Sequence, residues 1–326
     1  MIKWGIIGCG DVTEIKSGPA FSGVKGSSLV AVMRRNTGLA KDYARRHGVP
    51  RWYDNADELI NDDGVNAVYI ATPPYKHKDY AIQALRSGKP VYVEKPMALN
   101  YEGCSEMVAL SRELKIPLFV AYYRRCLPGY QKIKQLIKDD IIGKVRLISI
   151  KMFKGIKNED RIRDSLPWRV IPSIAGGGYF VDLASHQLDY LDYLFGPVTE
   201  VAGFAGNQAA LYPAEDIVSG SFKFTSGAVA SGIWCFTAAD GIDEDTIEII
   251  GEKGKITFST FQFTPILIEV EGKRIKINNY RPAHVHQPLV ETIVDELNGK
   301  GSCPSTGISA ARTTSVMDQI LKSYYS

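Results

Sequence analysis

The sequence has few cysteines and no pattern that would pair them. Its five cysteines are an odd number and include no C-x-x-C pair, which favours reduced thiols over a disulfide framework or a zinc site. His284 and His286 alternate in the segment RPAHVHQP without a third candidate ligand, so no metal site is predicted. Reduced thiols are typical of a cytoplasmic protein, and this is the location that we expect.

Long apolar runs and an excess of charge of one sign are also missing. The formal net charge is +3 and the basic residues are scattered, which argues against nucleic acid or an acidic membrane as the main partner. Apolar runs such as residues 66–72 are far shorter than the roughly 20 residues that cross a bilayer. The opening MIKWGIIGCG resembles a strand rather than a signal peptide.

What the sequence does contain is a regular alternation of short apolar runs and helical patterns in its first half. This rhythm predicts βαβ units and a doubly wound parallel sheet over residues 1–122. The second half, residues 123–326, contains alternating strands joined by turns such as TSG and GEKG, which predict antiparallel hairpins. The expected fold class is therefore α/β, with an N-terminal Rossmann-type domain followed by an α+β domain. A C-terminal helix could pack back on the first domain.

The large sheet of the second domain needs cover on one face. We expect helices to cover one face, and we place them near residues 102–115, 130–139, 178–194 and 287–298. A second copy of the chain could cover the other face, so a homodimer or homotetramer is predicted.

A glycine turn follows the first predicted strand. Gly8 and Gly10 form G-x-G, and such a turn lets a pyrophosphate approach backbone N–H groups, here including those of Asp11 and Val12. Thr13 stands where the full fingerprint has its third glycine. A broken fingerprint is also compatible with a purely structural turn, but its place in a βαβ pattern favours dinucleotide binding.

The residues at the end of the second predicted strand indicate whether NAD or NADP is bound. An acidic residue there would bind the ribose 2′-hydroxyl of NAD, whereas this sequence has Met33-Arg34-Arg35-Asn36. Guanidinium groups suit a 2′-phosphate, so we favour NADP over NAD. The alternative is that Arg34 and Arg35 are solvated surface residues.

The segment GGGYFVDLASHQLDYL holds the strongest catalytic candidates. Asp182 and His186 are four residues apart, which places them on one face of a helix. Histidine has an ordinary pKa of about 6.5 and suits proton transfer near neutral pH. The preceding glycines would let the start of the helix approach cofactor and substrate. Taken singly, Asp182 could be a helix-start carboxylate and His186 a structural histidine.

Together with ATPPYKH and VEKP, this segment resembles the glucose–fructose oxidoreductase/inositol dehydrogenase (Gfo/Idh/MocA) family over nearly the whole chain. The resemblance implies a Rossmann domain, a second domain with a large, mostly antiparallel open sheet, and hydride transfer between a nicotinamide cofactor and a carbinol of a sugar or polyol. It places the following residues beside the cofactor: Gly8, Gly10, Thr72, Pro73, His77, Glu94, Lys95, Trp168 and Arg169. His77 could equally be only the first residue of a helix.

The resemblance also implies catalytic roles. His186 would be the base in oxidation and the acid in reduction, and Lys95 would stabilise the negative oxygen. Asp182 would hold the substrate hydroxyl or stabilise the imidazolium. Tyr123 and Arg124 are substrate-binding candidates in the segment YYRR, where an extended backbone would turn one of each pair away.

The predicted function is an NADP(H)-dependent oxidoreductase acting on a sugar, keto-sugar or polyol. The alternatives are an NAD-dependent inositol or dihydrodiol-type dehydrogenase, or a cofactor-binding sensor that does not catalyse.

Overall fold

A computed structural model describes all 326 residues, which form two compact units. The first comprises Met1–Leu127 and Pro282–Ala311, and the second comprises Pro128–Arg281 and Arg312–Ser326. The chain therefore passes from one unit to the other three times. None of the helices combines the length and the apolar character needed to cross a bilayer.

The first unit is built on a six-stranded parallel sheet with the order β3-β2-β1-β4-β5-β6. Its strands are β1 (Ile2–Ile7), β2 (Ser27–Met33), β3 (Arg51–Tyr53), β4 (Ala67–Ile70), β5 (Val91–Val93) and β6 (Leu118–Val120). Its helices are α1 (Asp11–Ile15), α2 (Gly18–Gly23), α3 (Thr37–His47), α4 (Ala56–Asn61), α5 (His77–Arg86), α6 (Tyr101–Leu114) and α10 (Gln287–Leu297). The predicted doubly wound sheet is confirmed.

Apolar clusters cover both faces of this sheet, as expected for parallel strands that are apolar throughout. Every residue of β4, β5 and β6 is buried. One cluster includes Leu289, Val290 and Ile293 of α10 beside Trp4 of β1. The expectation that residues 287–298 and 102–115 cover the second sheet is therefore wrong, because α10 packs on α2 and α6 packs on α5 and β6.

The second unit contains an eight-stranded sheet with the order β14-β13-β12-β11-β7-β10-β9-β8. Only the β7–β10 pair is parallel, so the prediction of a mostly antiparallel sheet is confirmed. Its strands are β7 (Val145–Gly155), β8 (Val198–Gly206), β9 (Ile217–Phe224), β10 (Val229–Ala238), β11 (Glu244–Gly251), β12 (Gly254–Phe258), β13 (Ile266–Val270) and β14 (Lys273–Ile277). Its helices are α7 (Pro128–Lys138), α8 (Pro172–Ala175), α9 (Ser185–Phe195) and most of α11 (Gly307–Tyr325).

Helix α9 lies against the inner face of this sheet. Trp234 of β10 is fully buried, and its indole N–H donates to Gln187 Oε1 at 2.6 Å. The Phe180 ring, one turn before α9, packs edge-on against the Trp234 ring at 5.1 Å. These contacts hold the segment that carries Asp182 and His186 on the sheet.

Candidate active site

The glycine turn links β1 to α1 at the carboxyl edge of the parallel sheet. Gly8 has φ +93°, and a Cβ there would lie 2.9 Å from Thr72 Cγ2, so only glycine fits this position without strain. The Gly8 and Cys9 N–H groups donate to the Met33 carbonyl, at 2.9 and 3.2 Å. At Gly10 the space is open, because a Cβ would meet nothing closer than 3.9 Å. The turn thus leaves backbone accessible where a phosphate would bind.

Thr13 replaces the third glycine without disturbing the turn. Its side chain is fully buried, and its hydroxyl donates to the Gly10 carbonyl at 2.7 Å. The close packing that a third glycine would allow is supplied instead by Gly18, where a Cβ would overlap the Thr13 carbonyl oxygen. Gly18 was missed by the sequence analysis because it lies outside the fingerprint spacing.

An ion-pair cluster anchors α1 to α3. The Arg46 guanidinium donates to both carboxylate oxygens of Glu14 at 2.8 Å, and His47 Nε2 lies 2.7 Å from Glu14 Oε2. The hydrogen bonds from Arg46 are the main reason that the pKa of Glu14 falls to about 2.

We expect Glu14→Gln to lower the free energy of unfolding by about 1 kcal/mol at neutral pH, a value reduced by the one-third exposure of the carboxylate. Because the folded pKa lies below the ordinary value of 4.5, this stabilisation is present above pH 4.5 and disappears as pH falls towards 2. Urea unfolding at neutral pH and at about pH 3 measures the difference. Glu58→Gln, on the exposed side of α4, is the control, and an equal loss at both pH values would contradict this account.

Arg34 and Arg35 follow β2 beside the glycine turn. Arg34 is half-buried and its Nη1 donates to the Cys9 carbonyl at 3.3 Å, whereas Arg35 is exposed. Asn36 caps α3 by accepting from the Leu39 N–H. Two guanidinium groups therefore stand at the end of β2, and the four residues 33–36 contain no carboxylate.

The loop after β4 carries the next group of candidates. The hydroxyl of Thr72 is buried and has no hydrogen-bond partner within the protein, which fits a polar ligand group. His77 begins α5 and is fully buried, with its Nδ1 2.9 Å from the Pro96 carbonyl and its Nε2 2.7 Å from the Thr72 carbonyl. Burial lowers the pKa of His77 to about 4. Since both ring nitrogens face backbone carbonyls, His77 links the loops after β4 and β5. Pro73 precedes a 3₁₀ turn at Pro74–Lys76.

Glu94 and Lys95 follow β5, next to β4 in the sheet. Glu94 Oε1 accepts from the Tyr69 hydroxyl at 2.5 Å and lies 3.6 Å from His286 Nε2. Burial raises the pKa of Glu94, and the Tyr69 hydrogen bond and the charge of Lys95 oppose this rise. Lys95 itself is half-buried. The carboxylate of Glu94 is thus held inside the unit, directly before the lysine.

His284 and His286 have separate contacts within the first unit. His284 Nδ1 lies 2.6 Å from the Ile15 carbonyl, and His286 Nδ1 lies 2.8 Å from the Tyr92 hydroxyl. Burial lowers the pKa of His286 to about 3, so its ring is neutral. No group of three potential metal ligands occurs in the protein.

The segment after β6 is a 3₁₀ helix, Tyr123–Cys126, rather than the extended strand that we predicted. The Tyr123 ring packs at 4.6 Å on the His286 ring, and the Arg124 guanidinium lies 5.0 Å above Tyr123. Arg125 donates to the Pro304 carbonyl at 2.8 Å. Arg125 therefore has a structural contact, and Tyr123 with Arg124 remain the substrate-binding candidates of this segment.

In the second unit, Asp182 and His186 lie on one continuous helical segment. Phe180–Ala184 is a π-helical turn, and α9 follows directly from Ser185. Such wide turns are frequent at functional sites, and this one could not be foreseen from the i, i+4 spacing. His186 is only 4% exposed, and its ring packs edge-on against Phe261 at 5.8 Å.

Arg169 is paired with Asp182. Its Nε lies 3.3 Å from Asp182 Oδ2, and its guanidinium stacks 4.4 Å above the Trp168 ring. The structure thus places Trp168 and Arg169, which the resemblance assigns to the cofactor, beside the carboxylate of Asp182.

The glycines before this segment fit against the protein itself. A Cβ on Gly178 would lie 2.8 Å from both Ala214 Cβ and the Glu215 carbonyl oxygen. The Gly178 N–H donates to the two Glu215 carboxylate oxygens at 2.8 and 3.0 Å. Packing on the segment Ala214–Glu215 is therefore sufficient reason for glycine at position 178, and close approach to a ligand is not required there.

Comparison with known proteins identifies relatives over the whole chain. A model of an oxidoreductase family with an NAD-binding Rossmann fold matches residues 2–122, and a GFO/IDH/MocA C-terminal domain model matches residues 130–257. Oxidoreductase P35 of Formosa agariphila is 43% identical over 97% of both chains. The 1,5-anhydro-D-fructose reductase of Ensifer adhaerens is 26% identical over 94% of this chain and 91% of its own. The solved levoglucosan dehydrogenase in complex with NADH has a TM-score of 0.87 at 23% identity, over 99% of this chain and 97% of its own.

Sheet order, glycine turn and sequence matches together define an oxidoreductase that uses a nicotinamide cofactor. The Thr72 hydroxyl and the open backbone at Gly10 fit such a cofactor at the carboxyl edge of the sheet. The chain belongs to the Gfo/Idh/MocA family.

Proposed function

We propose that this protein transfers hydride between NADP(H) and a carbinol or carbonyl group of a sugar, keto-sugar or polyol. The observation that carries the proposal is the position of three features after adjacent strands of the parallel sheet. The glycine turn follows β1, the orphaned Thr72 hydroxyl follows β4, and Lys95 follows β5. Ligands of doubly wound sheets bind at this edge. The names of relatives such as 1,5-anhydro-D-fructose reductase support a sugar-like substrate.

The nicotinamide, when bound, supplies the carbon that accepts or returns hydride. In this proposal the backbone of Gly8 to Val12 and the side chain of Thr72 hold the cofactor. His186 removes the hydroxyl proton in oxidation and returns it in reduction. Lys95 donates a hydrogen bond to the same oxygen as negative charge develops on it.

Asp182 has two possible jobs in this scheme, which are to orient the substrate hydroxyl or to stabilise the His186 imidazolium. Its carboxylate forms an ion pair with Arg169 at 3.3 Å. Tyr123 and Arg124 present hydroxyl and guanidinium groups that could bind further hydroxyls of the substrate.

NADP is the proposed cofactor because Arg34 and Arg35 stand where an acidic residue would select NAD. The match to an NAD-binding family model and the NADH bound to levoglucosan dehydrogenase favour NAD as the alternative. In that case inositol-type or dihydrodiol-type oxidation would become the more attractive activity.

We expect the wild-type protein to bind NADPH more tightly than NADH, and the double variant Arg34→Ala/Arg35→Ala to lose this preference. Charge-assisted hydrogen bonds to a phosphate are the strong ones, and at about 1.5–3 kcal/mol their loss should weaken NADPH binding about 10- to 100-fold. NADH binding should hardly change. Calorimetric titration of both cofactors measures this, with Arg86→Ala, at the end of α5, as a control. Tighter binding of NADH by the wild type would instead make NAD the cofactor.

A substrate panel tests the activity itself. Aldoses, ketoses, anhydro-sugars, inositols and dihydrodiols would be assayed with both cofactors by following the absorbance of the reduced nicotinamide. Turnover of a sugar or keto-sugar supports the proposal, and turnover of an inositol or dihydrodiol alone supports the alternative enzyme. Tight cofactor binding without turnover of any compound would favour a sensor.

We also propose that the protein is a homodimer or homotetramer through the outer face of the eight-stranded sheet. This face exposes apolar side chains on neighbouring strands, among them Leu147, Val229 and Ile233, which are 41–47% exposed. Ile233→Asp should therefore shift the mass measured by light scattering towards the monomer. Ile162→Asp, in a loop and 55% exposed, should leave it unchanged. A monomeric wild type would overturn this proposal.

A further inference from the structure

Helix α11 contacts Glu215 at its end and α9 near its start, within the second unit. At one end the Tyr325 hydroxyl donates to Glu215 Oε2 at 2.6 Å. At the other end Arg312 donates to Asp192 through Nε at 2.8 Å and Nη2 at 2.6 Å. Asp192 lies on α9 and is 5% exposed. Bidentate pairs of this kind fix geometry as well as charge.

The contact at Glu215 leads directly to Asp182. Glu215 is fully buried, and its two carboxylate oxygens accept the Gly178 N–H. The Gly178 carbonyl in turn accepts the Asp182 N–H at 3.2 Å. Hydrogen bonds through Glu215 and Gly178 therefore connect the Tyr325 hydroxyl to the backbone of Asp182. The Glu215 carboxylate also lies at the start of the helical segment, where a negative charge interacts favourably with the helix dipole.

The loop that presents Glu215 is itself tightly held. The neighbouring Asp216 carboxylate is buried and accepts the N–H groups of Gln208 and Ala209 at 2.9 and 2.7 Å. Asn207 Nδ2 donates to the carbonyls of Tyr212 and Ala214 at 2.6 and 2.9 Å. Since Ala214 also packs on Gly178, Glu215 has little freedom to follow a displacement of the backbone at Gly178. It therefore fixes the position of that backbone.

We propose that Glu215 and Tyr325 are positioning residues for the reaction, which set the place of the π-helical turn and thereby of Asp182. This inference rests on the proposed function, because it assigns importance to a residue that the function uses. Neither Glu215 nor Tyr325 reacts. They act through the backbone at Gly178.

Tyr325→Phe is the first test, because it removes one hydroxyl and leaves the ring. We expect kcat to fall about five- to twentyfold, since small displacements of catalytic groups have effects of this order or larger. The dissociation constant of the cofactor should stay unchanged. Glu215→Gln should lower kcat at least as much, because one of its two acceptor oxygens is replaced by a donor. The matched control is Tyr324→Phe, whose hydroxyl donates only to the Pro213 carbonyl at 3.2 Å.

A double-mutant cycle with Asp182→Asn separates positioning from a general loss of folded protein. If Tyr325 acts through Asp182, Tyr325→Phe should have little further effect in the Asp182→Asn background. Equal fold-losses in both backgrounds, or no loss in Tyr325→Phe alone, would overturn the positioning role. An Asp182→Asn variant with full activity would overturn the proposed function instead, so the two failures are distinguishable.

Discussion

Replacing Lys95 with alanine should lower kcat about 100- to 1,000-fold while leaving the dissociation constant of the cofactor within about twofold of the wild-type value. The size of the loss follows from removing one charged donor from the developing oxyanion, which typically costs this much. The affinity for cofactor should survive because the glycine turn and Thr72 remain. Steady-state kinetics with the best substrate of the panel, together with calorimetric titration of the cofactor, measure both quantities.

Lys78→Ala is the matched control for this experiment. Lys78 lies on α5 and forms a half-exposed ion pair with Glu106 at 3.2 Å, a type of contact that contributes little to stability. It should retain full activity. If Lys95→Ala weakened cofactor binding in step with kcat, Lys95 would be a cofactor ligand rather than a substrate ligand. An unchanged kcat would remove it from the mechanism.

Replacing His186 with asparagine should lower kcat for oxidation about 100- to 10,000-fold, the usual contribution of a positioned general base. It should also change the pH profile. A histidine base works only when neutral, so the wild-type oxidation rate should fall as pH decreases and the base becomes protonated. The variant should lack this fall, because asparagine does not titrate.

The pH profile distinguishes the loss of a general base from a loss of folded protein. His186 is buried, so its loss could unfold the protein, and thermal unfolding of the variant must be measured beside its kinetics. His284→Asn serves as a control, since the His284 ring contacts the Ile15 carbonyl of the first unit. A His186→Asn variant that is folded and keeps the acid limb of the profile would assign the base to another group.

Much of the fold could be predicted because its signals are local. Buried parallel strands are mostly apolar, as at β4 and β5, while β9 and β10 alternate inward and outward residues. Strands without such a signal are harder to predict. β14 (Lys273–Ile277) is exposed at four of its five positions, and β8 lies at the other edge of the sheet, where one side has no strand to pair with.

The partner of an apolar helix face cannot be predicted in the same way. The stripe on α10 indicates burial, but the hydrophobic effect has no direction, so nothing in residues 287–298 distinguishes one sheet from the other. The same reason applies to the site. The spacing of Asp182 and His186 predicts a shared helix, whereas the hydrogen bonds that Gly178 and Tyr325 donate to Glu215 join residues 37 and 110 positions apart.

The three passages of the chain between units have a consequence for biosynthesis. A ribosome releases β1 to β6 early, but the part of the apolar cluster that Leu289, Val290 and Ile293 complete stays exposed until α10 has been synthesised. The cofactor-binding unit is therefore completed only after the whole second sheet has left the ribosome. During that interval the nascent chain exposes apolar surface, the condition in which chaperones are needed. We infer that residues 1–127 do not form an exchangeable cofactor module, and that any graft of this unit onto another protein must carry residues 282–311 with it.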